Sequence, residues 1–279
     1  MKIAVTGATG MLARAVMAAA HDREHDVIAL DRAALDITDR ARVRDVIAQN
    51  SPDVIIHCAA YTRVDDAEDE ADAAECVNGE ATGHVAEAAA AAGALFVYPS
   101  SDYVFDGSAA RPYRPHDETA PLGAYGRSKL LGEVAAARAG RYHVVRTSWL
   151  YGLGGRNFVS TMLQRGRARQ PLRVVADQVG TPTWTHDLST MILSLAERAA
   201  PSGIYHATNA GHTTWFDFAR AIFELAEIDA NVQPVASSGY PQKAQRPQYS
   251  VLDCSATYAI TGDAPHWRDG LRTALRELA

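Results

Sequence analysis

Lys2-Ile3-Ala4-Val5-Thr6-Gly7-Ala8-Thr9-Gly10-Met11-Leu12-Ala13 opens the chain. An apolar strand over 2–6 runs into a glycine turn, and an Ala-rich helix follows to about Ala20. Strand, glycine turn and helix in that order decide the fold. Glycines at 7 and 10 let the backbone approach a diphosphate, and the helix N-terminus offers oriented N–H groups and a positive dipole end. The spacing is Gly-x-x-Gly-x-x-Ala, and Ala13 is small enough for close helix–strand packing. Alone this is a weak signal, because glycine turns precede helices for steric reasons as well.

The next segments extend the pattern. Residues 26–30 read as a second strand ending in Asp31-Arg32. An acid about 20 positions after the glycine turn accepts from a ribose hydroxyl and favours NAD. Arg32 beside it would meet a 2′-phosphate and favours NADP. Asp36-Ile37 precedes a helix over about 39–49 and is placed beside the adenine. A third strand over 53–57 leads into Cys58-Ala59-Ala60-Tyr61-Thr62, where two small residues leave room for a ligand. A helix over about 73–92 carries Asn78, and an Asn in mid-helix is expected to do polar work facing the site. The acidic run from Asp65 to Glu75 is read as solvated.

Leu95-Phe96-Val97-Tyr98 is a fourth strand that ends at Ser101, and Tyr142 to Thr147 is a fifth, followed by Trp149. A helix over about 157–168 and a strand over about 172–175 make six βα units. The alternation predicts an α/β fold: a Rossmann-type doubly wound parallel sheet with a smaller C-terminal substrate-binding region. Residues 1–150 form the dinucleotide-binding core, with 151–176 completing the sheet. Residues 177–279 are mainly substrate-binding and interleaved with the core, with helices near 185–198 and 214–227 and a short strand near 204–206. The loop from Gln233 to Tyr249 carries Lys243 and Arg246 and is expected to fold over a substrate phosphate.

Tyr125-Gly126-Arg127-Ser128-Lys129 places a tyrosine and a lysine four apart. On a helix they share a face, roughly 5–6 Å apart at Cβ. A nearby ammonium is expected to bring the phenol down toward neutral pH, so that it hands a proton to a developing alkoxide. Ser101 would hold a substrate oxygen beside it. With 11 Tyr and three Lys in 279 residues, chance gives roughly 0.1 such pairs. The other 24 of the 27 cations are Arg, so Lys at 129 stands out as a choice of compact point charge. Trp149 at a strand end is either a substrate platform or ordinary core.

The 47% hydrophobic content is ample for a core, and the net charge of −6 leaves no basic footprint for nucleic acid. Cys58, Cys76 and Cys254 are odd in number and scattered, as in a reducing compartment. No apolar run approaches the ~18 residues of a membrane span, and no signal peptide is legible at the start. A cytoplasmic protein with no membrane partner is expected. No His, Cys or carboxylate spacing suggests a metal site.

These residues together resemble the dTDP-4-dehydrorhamnose reductases, a family of extended short-chain dehydrogenase/reductases. The resemblance runs nearly end to end. It rests on 7–13, Leu35-Asp36-Ile37-Thr38, Cys58 to Thr62, Ser101-Asp102-Tyr103-Val104-Phe105-Asp106-Gly107, Tyr125 to Lys129 and Arg146 to Gly152. Later matches are Asp177-Gln178 through Pro182-Thr183, and Arg246-Pro247 with Ser250-Val251-Leu252. The resemblance implies a Ser101–Tyr125–Lys129 catalytic triad. It implies cofactor contacts from Gly10, Met11, Leu12, Asp31, Asp36, Ile37, Ala59, Ala60 and Tyr61, to which the reading of the residues adds Gly7, Arg32, Asn78, Tyr125 and Lys129. Substrate contacts would come from Ser101, Asp102, Trp149 and Arg246. The expected cofactor is NADPH, with NADH accepted, and the expected partner is a small-molecule sugar nucleotide bound by a monomer or homodimer. Some members use magnesium at a dimer contact, but Ala15 stands where an acidic ligand would be sought, so no metal is expected. The rival class is a non-catalytic dinucleotide-binding regulatory subunit.

Overall fold

Alternate residues along the first strand face opposite ways, and this parity builds the molecule. The structure is a computed structural model that describes residues 1–278. Six strands form one sheet: β1 (Lys2–Thr6), β2 (Asp26–Leu30), β3 (Val54–His57), β4 (Leu95–Ser101), β5 (Tyr142–Thr147) and β6 (Gly203–His206). Their order is β6-β5-β4-β3-β1-β2, and every pairing is parallel. Ile3, Val5, Ile56 and Val97 pack on one face with α1 (Met11–Asp22). Ala4, Ile55 and Phe96 pack on the other with α2 (Arg40–Asn50) and α3 (Ala81–Ala92). Both faces are covered, as an all-parallel sheet requires.

The helix bearing Tyr125, α4 (Ala124–Ala136), lies on the second face and is pressed hard against β4. A Cβ at Gly126 would sit 2.2 Å from the Tyr103 carbonyl oxygen, and one at Gly132 would sit 2.1 Å from the Tyr98 hydroxyl. Two glycines six apart therefore let the helix touch the strand at Tyr98 and the turn that follows it at Tyr103. The next two helices in chain order are α5 (Phe158–Arg167) and α6 (Thr185–Glu197), of which α6 covers the first face beside α1.

Two expectations change here. The strand at Leu172–Val175 does not complete the sheet; it pairs in parallel with Val232–Val235 in a separate two-stranded piece. Leu172 and Val174 point into a third core with Phe218, Trp267 and Leu271, which draws the strand away from the main sheet. The sixth position belongs to β6, because Gly203 to His206 pair with His143 to Arg146 of β5. The helix expected over 73–92 is broken. Ala71–Glu75 is α-helical, Cys76–Glu80 is a π turn, and α3 begins at Ala81. Among the described residues, no helix is long and apolar enough to cross a membrane.

Candidate active site

β1 is followed outward by β2 on one side, and the chain then crosses to β3 on the other. Ligands of doubly wound sheets settle at such a reversal, outside the carboxyl ends of the strands. Gly7 follows β1 with φ +63°, and a Cβ there would lie 2.7 Å from the Ala59 backbone. The two strand ends touch, and only glycine fits. Gly10 precedes α1, whose first turn has no side-chain cap and no acid. Its N-terminal N–H groups and positive dipole end face a cleft of about 860 Å³.

Most of the expected residues line that cleft. Gly7, Gly10, Met11, Leu12, Arg32, Asp36, Ile37, Ala59, Ala60 and Tyr61 lie along one part of it. Ser101, Asp102, Tyr125, Lys129 and Trp149 lie along the rest. Asp31, Asn78 and Arg246 are not among the lining residues. The Asp31 carboxylate accepts from the Ala34 N–H at 2.9 Å and so caps its own turn. Arg246 donates to Asp65 at 3.0 Å and to Gln242 at 2.6 Å, so its charge is already answered. Lys243 pairs with Asp69, and the Ala244 N–H donates to Asp65 at 3.1 Å. The acidic run read as solvated is thus the latch of the 243–246 loop.

Asn78 does polar work, but beneath the site. Its Oδ1 accepts from the Tyr61 N–H at 2.9 Å. Its amide donates to the Tyr61 carbonyl at 3.0 Å and to the Ser128 hydroxyl at 2.9 Å. Ser128 donates on to the Tyr125 carbonyl at 2.8 Å. One amide in a π turn therefore joins the Tyr61 loop to the helix of Tyr125. Irregular turns of this kind are frequent at functional sites.

At the end of β4, the Ser101 hydroxyl donates to Asp102 Oδ1 at 3.0 Å and accepts from the Tyr103 N–H at 3.2 Å. Asp102 is 2% exposed, and its Oδ2 has no hydrogen-bond partner. Burial pushes its carboxyl up to about 7, against the hydroxyls of Ser250 and Ser101 beside it. The Tyr125 ring meets Tyr103 edge-on at 5.9 Å. The Lys129 ammonium sits 4.0 Å over the Tyr98 ring.

The electrostatics reverse the direction expected for the tyrosine. Burial pushes Tyr125 up to about 12; the Asp102 charge adds to this, and the Ser101 hydroxyl opposes it. Burial also draws Lys129 down to about 7, against the charges of Glu133 and Cys58. Desolvation outweighs the pairwise attraction on which the sequence argument relied. His57 is a neutral core residue: burial draws it to about 3, and its ring nitrogen shares a 2.8 Å hydrogen bond with Thr6.

Trp149 has a left-handed backbone, φ +48°, in a non-glycine residue. Such a conformation costs roughly 1–3 kcal/mol and persists only where surroundings enforce it. Its ring stacks on Trp215 at 3.6 Å and 7°, and a Cβ at Gly180 would lie 2.5 Å from it. The residue is both core and cleft wall. Trp215, Tyr103, Ser148, Arg156 and Asn157 also line the cleft and were not expected. Only Trp215 carries a readable signal, an aromatic residue at the start of a helix.

The chain matches, over residues 1–279, the family model described as RmlD substrate binding domain. It is 46% identical over 276 residues to a dTDP-4-dehydrorhamnose reductase of Streptomyces griseus, covering 96% of this chain and 90% of the relative. It is 42% identical over 283 residues to a probable dTDP-4,6-dihydroxy-2-methyloxan-3-one 4-ketoreductase of Streptomyces antibioticus, covering 100% and 96%. Among solved structures it is similar to dTDP-4-dehydrorhamnose reductase of Bacillus anthracis in complex with NADP. That likeness has a TM-score of 0.95 and 40% identity, and covers 99% of this chain and 100% of that one. A glycine turn at a strand crossing, a Tyr/Lys helix against the β4 end and full-length likeness agree: the chain belongs to the dTDP-4-dehydrorhamnose reductase family.

Proposed function

We propose that this protein reduces the C4 ketone of dTDP-4-dehydro-L-rhamnose to give dTDP-L-rhamnose, with NADPH as the preferred donor and NADH accepted. The observation that carries the reading is one cleft holding the glycine turn, the half-buried Tyr125 and the buried Ser101 and Lys129. The residues present fit a dinucleotide. Gly7 leaves backbone bare where a Cβ would clash, and the α1 N-terminus offers N–H groups to a diphosphate. A reduced nicotinamide, when bound, supplies the hydride. Ser101 orients the carbonyl oxygen, and Tyr125 delivers its proton to that oxygen as charge develops. A phenol held near 12 keeps its proton at neutral pH, and an alkoxide is basic enough to take it. Lys129 eases the transfer through its charge and reaches toward the nicotinamide ribose. Asp102, whose buried Oδ2 has no hydrogen-bond partner, would accept from a sugar hydroxyl after a small turn of its side chain toward the cleft it lines, and Trp149 lies against the sugar.

NADPH is preferred because Arg32 lines the cleft while Asp31 is turned to its own loop. Arg32→Ala is expected to lower kcat/KM for NADPH about 10-fold or more and to leave NADH nearly unchanged. The basis is the ~1.5–3 kcal/mol of a hydrogen bond to a charged group. Equal losses for both donors would show that Arg32 does not meet the 2′-phosphate.

A second reading has an observation of its own. The Streptomyces antibioticus relative is named a 4-ketoreductase for another deoxysugar, so a different nucleotide-deoxysugar ketone is the alternative substrate. The test is NADPH oxidation with dTDP-4-dehydro-L-rhamnose and, in parallel, with dTDP-4-keto-6-deoxy-D-glucose. Faster turnover of the second sugar would favour the alternative. Cofactor binding with no turnover of either would favour a regulatory binder.

A further inference from the structure

Glu133 and Arg146 are 6% and 2% exposed, and the reading above uses neither. Glu133 stands on α4 one helical turn beyond Lys129, and the i, i+4 spacing puts the two on one face. Its Oε1 accepts from Arg146 Nε at 2.9 Å, and its Oε2 accepts from Nη2 at 2.7 Å. This is a bidentate fork, which fixes direction as well as distance. A third donor is the hydroxyl of Ser100, 2.6 Å from Oε1. Ser100 immediately precedes Ser101 on β4. Arg146 lies on β5, two residues before Ser148, and its other arm donates to the Pro115 carbonyl at 3.0 Å. One carboxylate on the Tyr125/Lys129 helix therefore grips both strands that deliver the rest of the site.

We propose that Glu133, clamped by Arg146, is the positioning residue that sets the Ser101 strand end in register with Tyr125 and Lys129. This rests on the triad reading and deepens it. Gly132 sets how closely the helix approaches β4, through its contact with Tyr98. A close approach alone leaves the helix free to slide along the strand, and the Glu133 fork removes that freedom. Stability does not require such a device. A buried ion pair is often matched or bettered by apolar side chains of similar volume. Geometry does require it, because a displacement of about 1 Å at a reacting centre costs on the order of 10² in rate.

Glu133 also faces the ammonium electrostatically. The other titratable groups around Lys129 are His57 and Cys58 at the end of β3, Tyr98 on β4 and Tyr125 on α4. Burial keeps the His57 ring and the Cys58 thiol uncharged at neutral pH. Glu133 is left as the carboxylate that favours protonated Lys129.

The test compares kcat, KM and pH profiles for four variants of the full chain. Glu133→Gln is expected to lower kcat about 10–100-fold, with KM for NADPH changed by less than about threefold. It should also move the alkaline limb of the kcat profile to lower pH, because burial then removes the Lys129 proton sooner. The double variant Glu133→Met with Arg146→Met should melt near wild type and remain slow. Ser100→Ala removes one bond of the clamp and should lose about three- to tenfold in kcat with its melting temperature held. Ser100→Ala decides the matter if the Glu133 variants do not fold. Wild-type kcat in Ser100→Ala or in the folded double variant, or an unshifted limb in Glu133→Gln, would overturn the proposal. Tyr125→Phe is the reference. If it is slow while these variants are normal, the clamp fails and the triad stands; if it is normal, the triad itself fails.

Discussion

Tyr125→Phe is expected to lower turnover roughly 10²–10⁴-fold, the worth of a positioned general acid, while NADPH affinity stays within a few-fold. The ring is held edge-on by Tyr103 at 5.9 Å, so the helix should not move when the hydroxyl is removed. The glycine turn and the α1 N-terminus lie on other elements and keep their part in binding the dinucleotide. The wild-type pH profile adds a second check. With Tyr125 near 12 and both Lys129 and Asp102 near 7, the limb near neutrality is assigned to the lysine by its persistence in Asp102→Asn. Its ammonium is present below about 7 and is lost as pH rises, so kcat should fall on the alkaline side well before the phenol ionises. Cofactor titration by fluorescence and steady-state rates across pH measure both. A Phe variant with near-normal turnover would remove Tyr125 from the chemistry.

The first five strands and the helices between them were legible because their signals are local. A strand, a glycine turn and an Ala-rich helix state their own geometry, and the Tyr/Lys spacing states its own face. Long-range choices were not. Leu172–Val175 and Gly203–His206 are both short apolar strands, and chain order favours the first as the sixth strand of the sheet. Only the third core around Phe218 and Trp267, assembled from residues as far apart as Tyr151 and Leu275, shows why it goes to the second. The break in the helix at Cys76–Glu80 is equally invisible, since the partners of Asn78 lie 17 and 50 residues away. Asp31 was read as a cofactor contact and Arg246 as a substrate contact. Which acid or N–H answers a charge depends on folding, and Asp65 and the Ala34 N–H answered these. The direction of the Tyr125 shift was illegible for another reason. Pair spacing is written in the sequence, but burial is not, and burial is the larger influence here.

Asp102→Asn is expected to stabilise the protein at pH 8 and to weaken its grip on the sugar. The carboxyl is 2% exposed and is held up to about 7 from an ordinary 3.8. A raised carboxyl binds its proton more tightly in the folded state than in the unfolded chain. The contribution of Asp102 to stability is therefore highest below about 4, falls as pH rises toward about 7, and stays reduced above that. At ~1.4 kcal/mol per pH unit, this ionisation costs on the order of 4 kcal/mol at pH 8. Asn keeps the shape and cannot ionise, so the variant should be more stable than wild type at pH 8 by a few kcal/mol. The two should converge near pH 4, where both side chains are neutral. Denaturant melts at the two pH values give the difference directly. The same substitution removes a carboxylate acceptor from a residue that lines the cleft. With an amide there instead, KM for the sugar nucleotide should rise about 10–100-fold, from the ~1.5–3 kcal/mol of a charge-assisted bond. A stability difference that does not change with pH would mean that Asp102 is not a buried titrating acid. An unchanged KM would mean that its free oxygen does not meet the substrate. Gain of stability with loss of binding is the pattern of a residue kept at a folding cost for what it holds.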